Sequence, residues 1–292
     1  MQAEETRRNT GSPSGDRCRD QPVTRERWTG SCGVAERFAV PVKPGNSGGG
    51  KGPQLKTNAR IKISNVFGDR PLLIGGAHIA RRTDGAEIDP TSDRILKFHG
   101  HSSTTVASGS MVVSDPVELQ VPALSDLAIS LFLPETTEVK TTHLLAQQTS
   151  YVSAETGDST SEVKFPVAKR ISSWPFLNGV DVEASTRGTA IVAFGSSLTD
   201  GDGTDPDSNG RWPDVLAQRL QKSGKPEVGI LNEGIIGNRL LNDSPPEAAG
   251  GRFGAALGEA GLKRFERDVL VQAGVRYVIV GLGLMTSHFP AR

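Results

Sequence analysis

Cysteine is nearly missing from this 292-residue chain: Cys18 and Cys32 are the two it has, both near the N-terminus. Neither a disulfide framework nor a cysteine zinc site is therefore expected to hold the fold. Aromatic residues make up only 5%. No sign of charge is in excess, since Lys plus Arg and Asp plus Glu both number 33. That excludes a generally basic nucleic-acid binder and an acidic solvating tail, leaving local patches at most. No apolar run approaches the roughly 20 residues of a membrane-spanning helix. The opening MQAEETRRNTGSPSGDRCRD has no apolar core of the kind a secretion signal carries, so no signal peptide is expected.

What the chain does have is turn residues, 34 glycines and 18 prolines, beside 36% apolar and 23% charged residues. This composition points to a soluble protein rich in strands rather than a helical bundle. Residues 1–57 mix charge, Ser, Gly and Pro without an apolar period, and a mostly disordered tract is expected there. The stretch WTGSCGVAERFAVPV at 28–42 is the exception, reading as a strand or its remnant. Over 58–185 short apolar runs recur: Ala59 to Phe67, Leu72 to Ile79, Ile95 to Phe98, Met111 to Val113, Val117 to Val121 and Leu127 to Leu133, with Tyr151-Val152 later. Turn residues separate them, which predicts an all-β sandwich or jelly-roll domain.

A second pattern occupies 186–292. Thr189 to Phe194 is a continuous apolar run, the mark of a parallel strand covered on both faces. Helix is expected over Trp212 to Leu220, with Pro213 in its first turn, and strand over Val228 to Asn232. A helix over Glu259 to Ala273 is expected to bury Leu262, Phe265, Val269 and Leu270, and Val275 to Val280 to form a third buried strand. This β-α-β-α-β order opens a doubly wound α/β domain with a parallel sheet, incomplete at three strands.

Two segments carry chemistry. Phe194-Gly195-Ser196-Ser197-Leu198-Thr199-Asp200-Gly201 places a serine directly after a buried parallel strand, at the sheet edge where α/β folds bind ligands. Flanking glycines permit a tight turn that exposes the hydroxyl and frees backbone N–H groups. Asn232-Glu233-Gly234-Ile235-Ile236-Gly237-Asn238 follows the second strand and projects from the same edge, where a glycine N–H and an asparagine amide suit an oxyanion. Taken singly, each also reads as an ordinary glycine-rich connection.

Together the two segments resemble the blocks of the SGNH hydrolases, the GDSL-type esterases and lipases. GSSLTDG is similar to the first block, G-D-S-x-T-x-G, NEGIIGN to the second, and NGRWPD to the entrance of the family's first helix. RIKISNVFG, SDPVELQVPALSDLAISLFLP and TSYVSAETGD resemble the β-rich region that precedes the catalytic domain in one branch. The resemblance implies a carboxylic ester hydrolase working through an acyl-enzyme, with Ser197 as nucleophile. It implies the N–H groups of Ser197 and Gly237 as oxyanion hole, Asn238 and Asp200 as supporting residues, and neither metal nor cofactor. The implied substrate is a small-molecule or polysaccharide-linked ester, with no nucleic acid and no membrane span; export is the family's habit, although this N-terminus does not supply a signal.

The departures are as informative. Ser196 stands where the family usually has Asp. Met285 falls where the third block, G-x-N-D, has the Asn that donates to the oxyanion, and a thioether donates no hydrogen bond. No D-x-x-H follows Ser197, and His288 does not map onto the family's base. Codons ATT-AAT-GAC-ATC, for Ile-Asn-Asp-Ile, read one base late as TTA-ATG-ACA-TC, or Leu-Met-Thr-Ser, the residues from Leu284 to Ser287. The chain is therefore expected to leave the family's reading frame near Leu282 and to be truncated and impaired.

Other features have plainer readings. The Asp200–Asp207 stretch superficially resembles a calcium loop, but Arg211 stands where the bidentate Glu belongs and Pro206 breaks the pattern. His99 and His101 lack further ligands, GNSGGGKGP has neither a preceding strand nor a Lys-Ser/Thr pair, and Arg276 and Tyr277 read as strand-face residues. The alternative to an enzyme is a carbohydrate-binding β-sandwich. It would draw its rings from Phe67, Phe98, Phe132, Tyr151, Phe165, Trp174 and Phe176.

Overall fold

The computed structural model describes residues 58–154, 156–183, 188–225, 228–245 and 254–283, and the backbone of 29–30 and 34–41. Most of the tract expected to be disordered thus lies outside the described residues, as do Met285 and His288. Val34–Pro41 is a strand, inside the one stretch of that tract that reads as such.

Two antiparallel sheets organise residues 58–182, together with Val34–Pro41. The larger runs in the order Val167–Ile171, Ser150–Ser153, Val34–Pro41, Asp126–Leu133, Gly76–Arg81 and Arg94–Ile95. The smaller sets Asn58–Ser64 between Leu177–Val182 and Met111–Val113, with Val117–Glu118 also paired to it. Their inner faces share one core. Ile61 and Ile63 of the smaller sheet pack in the same cluster as Ile79, Leu127, Ile129 and Leu131 of the larger. Each such aliphatic side chain contributes about 1.5–3 kcal/mol on burial. The expected run from Leu72 to Ile79 is two strands, Leu72–Ile74 and Gly76–Arg81. The break falls at Gly75, where a Cβ would lie 2.8 Å from the Phe132 ring.

The second pattern forms a three-stranded, wholly parallel sheet. Thr189–Gly195 lies at its centre, flanked by Val228–Gly234 and Val275–Gly281. Helix Trp212–Lys222 starts with Pro213 in its first turn, and its Asp214 carboxylate accepts from the Arg211 N–H at 3.1 Å. Two expectations fail here. The long helix over Glu259 to Ala273 is a short α-helix, Gly261–Phe265, running into a π turn, Glu266–Leu270. Leu262 and Leu270, assigned to its buried face, are 62% and 60% exposed, whereas Arg264 is fully buried. Arg264, Phe265 and Val269 are the side chains that face the sheet. The third strand is not buried among the described residues: Tyr277 and Val280 are 64% and 58% exposed. It is an edge strand, paired on one side to Thr189–Gly195 alone. No described helix is long and apolar enough to cross a membrane.

The loop after Ser197 joins the two parts. The Asp207 carboxylate accepts the Thr149 N–H and hydroxyl, both at 2.6 Å, and the Asn209 amide donates to Asp126 at 3.0 Å. The Arg211 guanidinium donates to the Ala146 carbonyl at 3.1 Å. The stretch that resembles a calcium loop is thus a clasp whose Asp207 oxygens are already occupied.

Candidate active site

Three glycines end the three parallel strands side by side: Gly195 is in register with Gly234 on one side and Gly281 on the other. They form a floor without side chains, and the one-turn helix Ser197–Asp200 lies on it. A Cβ on Gly234 would stand 2.2 Å from the Asp200 backbone nitrogen, and one on Gly195 would stand 2.0 Å from the Thr199 hydroxyl oxygen. Only glycine lets the turn sit this close to the sheet. The Ser196 carbonyl accepts the N–H of Thr199 at 3.0 Å and of Asp200 at 2.9 Å. Ser196 provides no side-chain cap, so the helix starts without the bond an acidic residue would supply. Gly201 closes it in the left-handed region at φ 110°.

Ser197 is half-buried, and its hydroxyl and N–H have no hydrogen-bond partner among the described residues. The second segment is tied to the same edge. The Ile235 N–H donates to the Gly195 carbonyl at 3.2 Å, and the Ile236 N–H to the Asp200 carboxylate at 2.7 Å. Gly237 follows at φ 70°, a left-handed conformation, with its N–H likewise unpartnered among the described residues. Asn238, a supporting residue by the resemblance, is turned to a neighbouring segment. Its amide donates to the carbonyls of Leu257 at 3.1 Å and Glu259 at 2.7 Å, and its oxygen accepts from Arg264. Both of its protons are committed to holding the 257–259 segment.

Three site residues escape the sequence reading. Arg264, 0% exposed, donates to the Gly195 carbonyl at 3.1 Å, the Glu233 carbonyl at 3.0 Å, Asn238 at 3.0 Å and Asp268 at 3.0 Å. Its guanidinium also lies 4.1 Å from the centre of the Phe194 ring. A spacing signal existed, since Arg264 and Asp268 stand four apart on a helical face. His143 comes from the strand Thr142–His143 in the β-rich part, and its Nε2 donates to the Asp200 carboxylate at 2.8 Å. Burial pulls the imidazole pKa down, but the charge and hydrogen bond of Asp200 outweigh it and hold it above the usual range. Glu233 is half-buried, and burial, with Asp268 as a like-charged neighbour, pushes its carboxyl up to about 8. Nothing local marks the last two.

A cleft of about 310 Å³ runs between the strands Leu177–Val182 and Val228–Gly234. His143, Trp174, Asp200, Glu233, Arg267 and Asp268 are on its walls. Of the rings considered for sugar stacking, Phe98, Tyr151, Phe165 and Phe176 are buried, and only Phe67 is exposed, at 49%. Phe132 and Trp174 are half-buried, and Trp174 and Phe67 both line the cleft. No group of three or more metal-ligating side chains occurs among the described residues, and His99 and His101 flank an isolated turn bridge.

Residues 191–284 match the family model described as GDSL-like Lipase/Acylhydrolase. Among solved structures the chain is similar to AlinE4, an SGNH-hydrolase family esterase, at 26% identity over 34% of this chain and 41% of that one, with a TM-score of 0.25. It is also similar to a family two carbohydrate esterase from Cellvibrio japonicus, at 11% identity over 88% of this chain and 60% of that one, with a TM-score of 0.20. The chain thus spans 41% and 60% of the length of these two structures. No curated protein matches it.

Proposed function

We propose that this chain, whose residues 191–284 match the model of the GDSL-like lipases and acylhydrolases, carries an ester-hydrolysing site with Ser197 as nucleophile. The observation behind this is the Ser197 turn, a half-buried, unpartnered hydroxyl at the carboxyl edge of a parallel sheet, above a glycine floor. In this reading Ser197 attacks the ester carbonyl, and the Ser197 and Gly237 N–H groups hold the oxyanion. Asp200 and Asn238 keep the two loops in place, and water then hydrolyses the acyl-enzyme. The substrate class is a small-molecule or polysaccharide-linked ester. Residues 58–185 act as a β-sandwich domain and 186–292 as the α/β domain that bears the nucleophile.

The same reading makes the chain a slow esterase. A serine hydroxyl is a weak nucleophile unless a base accepts its proton, and no described imidazole bonds to Ser197; the Nε2 of His143 is engaged with Asp200. A missing oxyanion donor costs roughly 100- to 1,000-fold more. Intact-mass analysis after fluorophosphonate treatment, with p-nitrophenyl acetate assays alongside, tests both parts. Slow labelling of Ser197 that S197A abolishes, with turnover close to that of S197A, is expected. Labelling unchanged in S197A overturns the nucleophile. Turnover at ordinary esterase rates that S197A removes overturns the impairment.

A further inference from the structure

The only carboxylate on the Ser197 turn is Asp200, and it is 3% exposed. One of its oxygens accepts the Ile236 N–H at 2.7 Å, the residue before Gly237. The other accepts from His143 Nε2 at 2.8 Å, across 57 residues of sequence and from the β-rich part of the molecule. His143 is itself fixed: it pairs with Trp174 in a two-stranded ladder, and the two rings lie 6.2 Å apart. Three segments distant in sequence therefore meet at a single carboxylate.

We propose that His143 is a positioning residue of the Ser197 site, acting through Asp200 to hold the Ile236–Gly237 loop against the serine turn. This rests on the reading of Ser197 and Gly237 as the site, and it makes the β-rich part a contributor to that site rather than an appendage. Without the imidazole, Asp200 keeps the Ile236 N–H but loses its only charged donor among the described residues; the nearby Arg211 donates to Asp214 and Ala146, and its Nη2 has no partner. A charge-assisted bond to a buried carboxylate is among the stronger hydrogen bonds of a fold. Among the described bonds, the other ties between this loop and the serine turn are the bond from Ile235 to Gly195 and the bridge that Arg264 makes from the Gly195 carbonyl to Asn238.

The groups facing the His143 imidazole are Asp200, Arg211 and Glu233. Asp200 favours the imidazolium and so does Glu233 when ionised, while Arg211 opposes it. The charged form of the strap is therefore complete in mild acid and fades as pH rises through the raised imidazole value. The neutral ring keeps the hydrogen bond through its Nε2–H tautomer, so the loss is partial.

Hydrogen–deuterium exchange on the full chain, wild type against H143A and H143Q at pH 6 and pH 9, tests this independently of turnover. After correction for intrinsic rates, peptides covering 196–203 and 232–241 are expected to exchange about tenfold faster in H143A. H143Q, which keeps an amide donor, restores most of the protection and removes the imidazole's share of its pH dependence, leaving the share that Glu233 contributes as it ionises near 8. Peptides from Asp126–Leu133 stay unchanged. Unaltered exchange over 232–241 in H143A overturns the proposal, and so does equal acceleration across the whole chain or the same pH dependence in H143Q. Fluorophosphonate labelling supplies the second arm. Slower labelling of Ser197 in H143A supports the strap's link to the nucleophile, and an unchanged rate refutes it. A wild-type chain that never labels counts against the Ser197 reading, while exchange still decides the strap.

Discussion

Arg264 donates through Nη2 to the carbonyl of Gly195, two residues before Ser197, from a side chain with no exposed surface. The same guanidinium reaches the Glu233 carbonyl on the neighbouring strand and Asn238 beyond it, so one cation braces the ends of two parallel strands. Such a charge stays buried only because Asp268, one turn along, offsets it at 3.0 Å.

Replacing Arg264 with Met takes one donor from Asp268, which keeps Arg267, and one from the Gly195 carbonyl, which keeps the Ile235 N–H, and removes the guanidinium from the Glu233 carbonyl and the Asn238 oxygen. Breaking a buried pair from one side costs about 3–5 kcal/mol, and R264M is expected to lose that much in urea unfolding followed by circular dichroism. D268N is expected to lose less, because the guanidinium keeps its three other acceptors. Equal losses in the two variants would show that Asp268, rather than the strand carbonyls, is what Arg264 mainly serves.

The glycine floor makes a graded prediction. On Gly234 a methyl group meets backbone, 2.2 Å from the Asp200 nitrogen, whereas on Gly281 the nearest atom is the Thr199 hydroxyl oxygen at 3.1 Å. Overpacking costs about 1–3 kcal/mol where neighbours must shift. G234A is therefore expected at or above the top of that range, with loss of Ser197 labelling, and G281A near its bottom. Thermal unfolding of both variants gives the order directly, and a G281A loss larger than that of G234A would contradict the floor.

Much of this arrangement is legible in the sequence because it is local. The apolar run Thr189 to Phe194 and the glycine that follows suffice to place Ser197 at a sheet edge, and alternation finds Met111–Val113 and Asp126–Leu133. What stays hidden is set by distant partners. An apolar spacing cannot show that the face near Val269 also buries Arg264, because the acceptors lie 31 and 69 residues away in the chain. His143 sits in a polar stretch with no period at all, and only the docking of the 200–211 loop on 146–149 brings it to Asp200. Strand Leu177–Val182 is hidden for a similar reason, its pairing with Asn58–Ser64 being a contact across most of the β-rich part.

That docking loop also bears on metal binding. Both oxygens of Asp207 are taken by Thr149, and Asn209 is spent on Asp126 and Gln148. Calcium at millimolar concentration is expected to leave the melting temperature unchanged, and chelator likewise. D207A, in contrast, removes two acceptors from the clasp and is expected to cost about 1–2 kcal/mol. A calcium-dependent rise in melting temperature that D207A abolishes would reverse this assignment.

Glu233 sets the pH dependence of the cleft. Its carboxyl is raised from the ordinary carboxylate range to about 8, first by burial and then by Asp268. The folded chain therefore holds a proton that the unfolded chain releases at lower pH, so the favourable contribution is complete below the ordinary carboxylate pKa. It is lost as pH climbs toward and through about 8, the reverse of a salt-bridged carboxylate. Gln at this position mimics the protonated acid at every pH. E233Q is expected to match wild type near pH 5 and to exceed it at pH 8.5 by about 1–2 kcal/mol, a figure kept well below the full shift because the side chain is half-buried. Urea unfolding at the two pH values measures the difference. A wild-type stability that rises between them as steeply in E233Q would mean that Glu233 is ionised in the fold and that its cleft is wetter than its packing suggests.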